Sequence, residues 1–289
     1  MTATISESDT GRLEALCQDA DMGAARKGRI SIGRGGQGIE RIEARFRGPA
    51  FAPHRHDVYA IGITIAGVQR FRYRGVERHC LAGQCHVLHP DELHDGAAGT
   101  EAGFAYRMIY IDPELVQEAL DGRRLPFVAS PIVEAALLPH GFARDAWDMD
   151  GEIDELSRTE IAVAVAGFLV ATATGGSDGE RAPLARSRLS RVRDLIATTP
   201  ARRHSLAEME RLCGLDRWTI ARQFRALYGT SPSRFRTMRQ LDEVRRSLGE
   251  GASLADAALA AGFADQSHMS RHFKRAYGLT PAAWVAALA

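Results

Sequence analysis

Apolar and polar residues alternate from residue 39 onward, which is the period of a half-buried β-strand. The segment IERIEARF (39–46) places Ile42, Ala44 and Phe46 on one face. The next segment, YAIGITIAG (59–67), is a nearly continuous apolar run, as expected for a buried strand. Further short strands follow, and turns are expected at glycines: Gly67, Gly75, Gly83 and the GAAG segment 96–99. This pattern predicts an antiparallel β-barrel or sandwich.

The pattern becomes helical after Asp112. PELVQEAL begins with Pro113, which suits the first turn of a helix, and SPIVEAALL (130–138) repeats that arrangement. Residues 152–172 carry apolar side chains three and four positions apart, which predicts a helix. This helix has two apolar faces, so we expect one to pack on the barrel and the other on a second subunit. GGSDGERAP (175–183) has the composition of a linker.

The C-terminal part contains an internal repeat. SLAEMERLCGLDRWTIARQFRALYGTSPSRF (205–235) matches SLADAALAAGFADQSHMSRHFKRAYGLTPAAW (253–284). In each copy a serine, Ser205 or Ser253, can cap the first helix, a glycine marks the turn, and Gly followed by Pro ends the second helix. A helix, a tight turn and a second helix predict two helix-turn-helix units, whose second helices enter the DNA major groove.

The second helix of each unit has an inner and an outer face. The inner faces are predicted to be Ile220, Phe224 and Leu227 in the first unit, and Met269, Phe273 and Tyr277 in the second. The outer faces carry the candidate DNA-binding residues: Arg217, Trp218, Arg222, Arg225, Gln266, Ser267, His268, Arg271, Lys274 and Arg275. Arg pairs bidentately with guanine and Gln with adenine, whereas Lys and the remaining Arg suit phosphates. The simpler interpretation of each Arg is a solvated side chain.

Charge is distributed unevenly along the 289 residues. The net charge is +1, yet Lys and Arg outnumber Asp and Glu by 18 to 9 from Arg186 onward and are outnumbered 19 to 27 before it. A basic C-terminal part favours a polyanionic partner such as nucleic acid. The longest apolar run (161–173) has 13 residues, fewer than the about 20 of a membrane span. Four scattered cysteines and no signal-peptide pattern favour a cytoplasmic protein with reduced thiols.

Three histidines stand out in the barrel segment. His54 and His56 alternate on one strand and point the same way, and His94 follows in PDELH (90–94). These segments resemble the two sequence motifs of a cupin barrel. In metal-binding cupins the resemblance implies a Glu four or five residues after the second His, where this chain has Ala60 and Ile61. Three histidines can hold zinc or iron, but without the Glu we expect packed histidines, no metal and no cofactor.

The repeat resembles the DNA-binding domain of the AraC/XylS family of bacterial transcription regulators, most specifically in GFADQSHMSRHFKRAYGLTP (262–281). The resemblance covers residues 187–284 and implies a long helix, about 232–248, between the two units. It also implies a metal-free cupin-like domain that binds an effector. The residues that it implies as base-facing are Arg217, Trp218, Arg222, Gln266, Ser267 and Arg271. One departure is Glu210, at a position of the first helix that is usually small, which suggests looser packing there.

The expected fold class is multidomain α+β, with a cupin-like antiparallel β-barrel, following helices and an all-α C-terminal domain. The expected parts are a loosely ordered segment 1–38, the effector-binding barrel 39–112, a helical dimerisation region 113–173, a linker 174–186, and the DNA-binding domain 187–289 with helix-turn-helix units at about 205–228 and 253–277. The candidate effector-binding residues are His54, His56, Tyr59, Arg72, His94 and Tyr106. Each of these side chains can equally be structural.

The expected function is that of a sequence-specific regulator of transcription that binds double-stranded DNA and responds to a small-molecule effector. The family pattern favours an activator that acts as a homodimer, with RNA polymerase as a further partner, and no enzymatic activity. One alternative is a metal-dependent cupin enzyme fused to a DNA-binding domain. Another is a regulator that has no effector and responds only to its own concentration.

Overall fold

A computed structural model describes residues 28–34, 36–121, 123–138, 146–173 and 184–288. Most of the segment expected to be loosely ordered (1–38), the stretch 174–183 of the expected linker, and Cys17 lie outside the described residues. The described end of that first segment corrects the expectation, because Gly28–Ile32 is a strand that pairs with Ile39–Phe46 and extends the barrel. The described chain has an N-terminal part built from strands and a C-terminal part built from helices. The predicted division into a β-rich and an all-α domain is therefore confirmed.

The strands of the described residues pair with one another in antiparallel fashion only. They are β1 (Gly28–Ile32), β2 (Ile39–Phe46), β3 (Pro49–His54), β4 (Tyr59–Tyr73), β5 (Val76–Leu81), β6 (Gln84–Leu88), β7 (His94–Ala98), β8 (Phe104–Ile111) and β9 (Ile132–Glu134). One face follows the order β1-β2-β8-β4-β6-β9, while β3, β7 and β5 form the other face with β4. The 15-residue β4 belongs to both faces and closes the barrel.

Gly67 is not at a turn, contrary to the sequence-based expectation. β4 runs through it without interruption, and its pairing with β8 shifts register between Thr64 and Ala66. Gly67 has φ +70°, and a Cβ there would lie 2.1 Å from the carbonyl oxygen of Gly103. A glycine is therefore required by a bulge and a close approach of backbone. Gly96 likewise lies within β7.

The expected helix at 130–138 is also wrong. Ile132–Glu134 forms β9, which pairs with β6, and Ala135–Leu137 is a single 3₁₀ turn. The edge of β6 is available there, and short apolar segments of this kind fit a strand as well as a helix. The predicted helical region 113–173 thus contains a strand that belongs to the barrel.

Nine helices lie in the described residues besides that 3₁₀ turn. They are α1 (Pro113–Ala119), α2 (Glu155–Thr172), α3 (Arg186–Thr198), α4 (Leu206–Cys213), α5 (Arg217–Tyr228), α6 (Pro232–Gly249), α7 (Leu254–Ala260), α8 (Gln266–Tyr277) and α9 (Pro281–Ala287). The first two cover the outer face of the barrel, where Val165 and Leu169 of α2 share a core with Ile61 and Ile109 of the sheet. The other seven form the C-terminal domain.

The C-terminal domain has two apolar cores that correspond to its two helix-turn-helix units. Phe224 and Leu227 anchor the first core, and Met269 and Phe273 anchor the second. These residues are buried as predicted, whereas Tyr277 is half-buried. Helix α6 spans the two units and contributes to the second core. The predicted connecting helix is therefore present.

Candidate functional site

Both helix-turn-helix units begin with a capped helix. The Ser205 hydroxyl accepts the N–H of Glu208, and the Ser253 hydroxyl accepts that of Asp256. Gly214 ends α4 in the left-handed conformation, with φ +65°. A side chain is disfavoured there, so the glycine allows the tight turn that brings α5 across α4.

The recognition helices α5 and α8 are capped at both ends. The Asp216 carboxylate accepts backbone N–H groups at the start of α5, and Asp265 does so at the start of α8. Gly229 and Gly278 end the two helices with φ of +71° and +72°. Such caps typically stabilise a helix by about 1 kcal/mol each. The sequence signals for both recognition helices are local and are matched by the structure.

The predicted DNA-binding residues all lie on the outer faces of these two helices. All are exposed except His268, which is half-buried. Trp218 has 74% of its surface exposed. A large aromatic ring in water is unusual in a folded domain, and its position beside Arg217 and Arg222 suits contact with DNA.

The exposed basic residues differ in what they contact. Arg217 donates from its backbone N and from Nε to the Glu210 carboxylate, at 2.9 and 3.1 Å. Arg225 forms an ion pair with Asp91 of the barrel at 3.1 Å. Arg271 and Lys274 form no ion pair with any described residue. Arg222 and Arg275 likewise form no ion pair with any described residue, so these four exposed cations are available to a phosphate or a base.

Glu210 does not disturb the packing of the first unit. Its carboxylate lies on the outside, where it pairs with Arg217, and the buried residues of α4 are Met209 and Cys213. The looser packing expected at Glu210 is not found.

His268 of the second unit does not reach outward, because its Nε2 lies 3.1 Å from His272 Nε2.

The three barrel histidines are brought together. The His94 ring centroid lies 4.2 Å from that of His54 and 4.8 Å from that of His56. The Nδ1 atom of each lies 2.9 Å from a backbone carbonyl oxygen. Because a carbonyl only accepts, each ring carries its proton on Nδ1. Burial lowers the pKa of all three, to about 4 for His94, so they are neutral at pH 7.

The other predicted effector-binding residues are dispersed. Tyr106 is buried inside the barrel with the histidines. Tyr59 lies on the outer face of the sheet, where its hydroxyl donates to the Pro126 carbonyl oxygen. The Arg72 side chain is exposed on β4. No group of three or more His, Cys, Asp or Glu within the described ranges is arranged to hold a metal ion.

A cavity of about 280 Å³ lies between the barrel and the C-terminal domain. It includes His54, His56 and Tyr106 from the predicted set but not Tyr59, Arg72 or His94. The C-terminal domain closes it with α6, the end of α8 and Trp284 of α9. The residues contributed by that domain are Met238, Arg239, Asp242, Arg245, Ala276, Tyr277 and Trp284.

Two ion pairs join the domains at this cavity. Arg239 Nη2 lies 3.1 Å from Asp57 Oδ2, and Arg245 Nη2 lies 2.7 Å from Glu40 Oε2. Burial is the largest influence on the pKa of Asp57, which it raises to about 7 against the opposing effect of Arg239. Both pairs run between the barrel and α6, and removing one partner of a buried pair leaves an uncompensated charge, which is strongly destabilising.

Backbone contacts join the end of α8 to the barrel as well. The Ala52 N–H donates to the Gly278 carbonyl at 3.0 Å, and the Arg55 N–H donates to that of Arg275 at the same distance. The second recognition helix is therefore bonded directly to strand β3 and the loop that follows it.

Sequence reasoning missed the residues that close the cavity. Glu40 and Arg245 are 205 positions apart, and nothing local marks either as a partner of the other. A weak signal existed in α6, where Arg239, Asp242 and Arg245 recur at intervals of three on one helical face. That pattern is also common on solvated helices, so it could not have identified an interface.

Two family profiles match the chain. The AraC-like ligand binding domain matches residues 36–161, and a helix-turn-helix domain matches residues 209–287. The HTH-type transcriptional regulator YbfI of Bacillus subtilis is 24% identical over 79% of this chain and 86% of its own length. An AraC-like transcription regulator of Streptomyces lividans is 33% identical over 35% of this chain and 37% of its own.

Among the helices of the described residues, none has the length and apolar character that a membrane span needs.

The fold is shared with a protein of solved structure. ToxT from Vibrio cholerae has a TM-score of 0.59 to this structure at 12% identity, over 91% of this chain and 99% of that one. The likeness covers both the barrel and the C-terminal helices, which follow one another in the same order along the two chains. Because the two profiles cover both parts of the chain and its relatives are AraC-like regulators, the chain belongs to the AraC family of transcription regulators.

Proposed function

We propose that this protein is a sequence-specific activator of transcription whose DNA binding is controlled by a small molecule held between its two domains. The observation that carries the proposal is that one cavity is lined by barrel residues and by α6 and α8 together. A ligand bound there contacts the DNA-binding domain directly. It can therefore favour one arrangement of the domains over another.

The effector site in this proposal differs from the interior of the barrel. His54, His56 and Tyr106 keep a role as wall residues, and Arg239 and Arg245 are added to them. ToxT has been solved with an unsaturated fatty acid bound. That molecule belongs to ToxT, but a small, largely apolar ligand is of a size that a cavity of about 280 Å³ can hold.

For DNA, we propose that Arg222 and Arg271 read bases, and that Lys274 and Arg275 bind phosphates. These side chains are exposed on two helices that have the same kinds of cap, an aspartate at the start and a glycine at the end, which supports this assignment. Two such helices read successive major-groove segments about 34 Å apart. The protein then acts in the cytoplasm as a homodimer and recruits RNA polymerase, and has no catalytic role.

Selection of bound duplexes from a random pool tests the DNA-binding half of the proposal. The full chain is expected to enrich an asymmetric site that spans two adjacent major grooves. Arg271→Ala should relax the preference at particular positions, each contact being worth about 1–3 kcal/mol. Arg70→Ala, on a barrel hairpin, is the control for loss of one positive charge. Enrichment of no sequence, with binding that only falls with salt, would contradict specific readout.

Coupling to the cavity needs its own measurement. Filling the cavity by Ala276→Phe or Met238→Trp should change affinity for the selected site without altering which bases are preferred. A change in base preference would place these residues in DNA recognition instead. Unchanged affinity in both variants would contradict control through this cavity.

A further inference from the structure

The charged groups that line the interdomain cavity are unequal in number. Four carboxylates face two guanidinium groups: Glu40, Asp57, Asp112 and Asp242 against Arg239 and Arg245. His54 and His56 also line it, but burial lowers the pKa of both, so they add no positive charge at pH 7. The cavity wall therefore carries more carboxyl groups than guanidinium groups.

Both guanidinium groups are already occupied by carboxylates of the protein. Arg239 lies 3.1 Å from Asp57 and 3.2 Å from Asp242. Arg245 lies 2.7 Å from Glu40 and stacks over the Tyr277 ring. An anionic ligand would have to displace one of these carboxylates, leaving it buried without a partner, which costs several kcal/mol.

Asp112 is a further carboxylate of the cavity wall, near Arg239 but without an ion pair to either arginine among the described residues. It precedes α1 as the N-cap residue, yet its carboxylate accepts no N–H from that helix. Aspartate at an N-cap usually makes that hydrogen bond. Within the part of the chain that the structure describes, this carboxylate has no hydrogen bond or ion pair, and it lines the cavity.

Gly38 keeps space beside this carboxylate. A Cβ at position 38 would lie 2.9 Å from Asp112 Oδ2, so any side chain there would crowd the acceptor. Burial raises the pKa of Asp112 to about 6, the largest influence on it. The nearby Arg239 acts against this rise but does not cancel it.

The rest of the wall is aromatic and aliphatic. Phe51, Tyr110 and Trp284 stand around the cavity, with Ile39 and Ile42 between them. Such a wall suits an apolar body, and aromatic faces also attract a cation. The cavity thus combines an apolar volume with an unpartnered negative group at one side.

We propose that the effector is a small organic cation, a primary amine on an aromatic or aliphatic body, whose ammonium group is bound by Asp112 and Asp57. This assignment rests on the proposed effector site and names the ligand class that it takes. An ammonium has three donors and no acceptor, which matches a site with more carboxyl groups than guanidinium groups, where Asp112 has no ion pair and Asp57 has one, to Arg239. A ligand bound by these two barrel residues also lies beside Arg239 of the DNA-binding domain.

Three probes with one phenylpropyl body test the charge preference: 3-phenylpropylamine, 3-phenylpropan-1-ol and 4-phenylbutanoate. Calorimetric titration of the full chain is expected to give tighter binding of the amine than of either other probe, by at least about tenfold. Equal binding of alcohol and amine, or tighter binding of the carboxylate, would overturn the proposal. So would the absence of binding by all three at millimolar concentration.

Asp112→Asn locates the preference. The variant keeps the shape of the side chain and breaks no hydrogen bond of α1, so its melting temperature should stay close to that of the parent. It is expected to lose the advantage of amine over alcohol, whereas Asp150→Asn, outside the cavity, should retain it. An Asp112→Asn protein that is folded and keeps the amine preference would refute this binding mode.

The DNA selection described above separates the two proposals. If the full chain enriches a specific site and the cavity-filling variants alter its affinity, but no amine binds, then only the ligand class is wrong. If the amine binds and no DNA sequence is enriched, the proposed function fails and the cavity has another role.

Discussion

Arg225 of the first recognition helix forms an ion pair with Asp91 of the barrel, with Nη1 and Oδ2 3.1 Å apart. Asp91 lies between β6 and β7 with its side chain 6% exposed, and Arg234 of α6 lies 2.8 Å from its other oxygen. One barrel carboxylate therefore holds two arginines of the DNA-binding domain. In this arrangement Arg225 is turned toward the protein.

Asp91→Asn is expected to raise the affinity of the full chain for its DNA site, by up to about tenfold or about 1.4 kcal/mol. The reason is that the Arg225 guanidinium loses its ion pair with Asp91 and becomes free to bind DNA, and that an ionic contact between the two domains is removed. Asparagine tolerates the left-handed conformation of Asp91, which has φ +62°, so the loop should keep its shape. Fluorescence anisotropy with the selected duplex measures the change.

Glu92→Gln is the matched control for the Asp91 variant. Glu92 is the neighbouring acid, but its partner is Arg74 within the barrel. It should leave DNA affinity close to that of the parent. An equal gain in both variants would show that general loss of negative charge, rather than release of Arg225, is responsible.

Gly278→Ala is expected to weaken the docking of α8 on the barrel. Gly278 has φ +72°, and a Cβ there would lie 2.8 Å from His54 Nδ1 and 2.9 Å from the Ala52 carbonyl oxygen. Crowding of this kind typically costs about 1–3 kcal/mol, added to the cost of a left-handed alanine. Calorimetric melting should therefore show a larger loss than the conformation alone explains.

Gly251→Ala provides the comparison. Gly251 also has positive φ, at +89°, but a Cβ there would meet nothing within 4 Å. The two variants share the backbone penalty of about 1 kcal/mol, so their difference measures the contact with the barrel. Equal losses of stability would contradict tight docking of α8.

The histidines His86 and His89 predict how the stability of the barrel depends on pH. Burial lowers the pKa of His86 to about 3 and that of His89 to about 4, against an ordinary value near 6.5. His89 Nε2 also accepts the N–H of Val128, which only a neutral ring can do. Below pH 6.5 these two histidines become protonated in the unfolded chain, whereas in the folded chain they stay neutral until a lower pH. The contribution of these two neutral rings to stability should therefore be fully present above pH 6.5 and be lost toward pH 4.

Urea unfolding at several pH values measures how the free energy of unfolding changes with pH. Each such histidine contributes up to about 1.4 kcal/mol per pH unit to this slope. His89→Gln keeps an acceptor for Val128 without titrating, so it should make the slope shallower. His79→Gln, on the edge strand β5, is the control for replacing an exposed imidazole. A slope unaffected by His89→Gln would mean that this ring is already protonated in the folded protein.

Local signals explain why the helices were predictable from the sequence. Ser205, Asp216 and Gly229 act through hydrogen bonds and backbone angles within a few residues of their own positions. The alternation of β2 follows from burial of one face. These features need no knowledge of the rest of the chain, and the repeat supplied each of them twice.

Contacts between distant segments explain what the sequence did not reveal. Ile132–Glu134 became a strand because β6 offers an unpaired edge, and Gly67 lies in a bulge because Gly103 approaches it. The cavity depends on Glu40 and Asp57 meeting α6 of another domain. The histidines were noticed from their spacing, whereas Asp112 resembled an ordinary helix cap, and only the structure shows that its carboxylate does not cap.

We predict that two subunits associate through the outer face of α2. Leu156, Val163 and Val170 recur at intervals of seven and are 67%, 55% and 48% exposed. A seven-residue apolar repeat forms a stripe along one side of a helix, opposite the face that packs on the barrel through Val165 and Leu169. Val163→Glu is therefore expected to convert a dimer to a monomer in analytical ultracentrifugation, because it places a charge at the centre of the stripe.

Leu259→Glu is the control for that change, since Leu259 is 64% exposed on α7, far along the chain in the other domain. It should leave the dimer intact. The melting temperature of Val163→Glu should remain near that of the parent, because Val163 makes no core contact that the charge would disrupt. Dimers that persist in Val163→Glu, or dissociate equally in both variants, would show that the stripe on α2 is not the subunit interface.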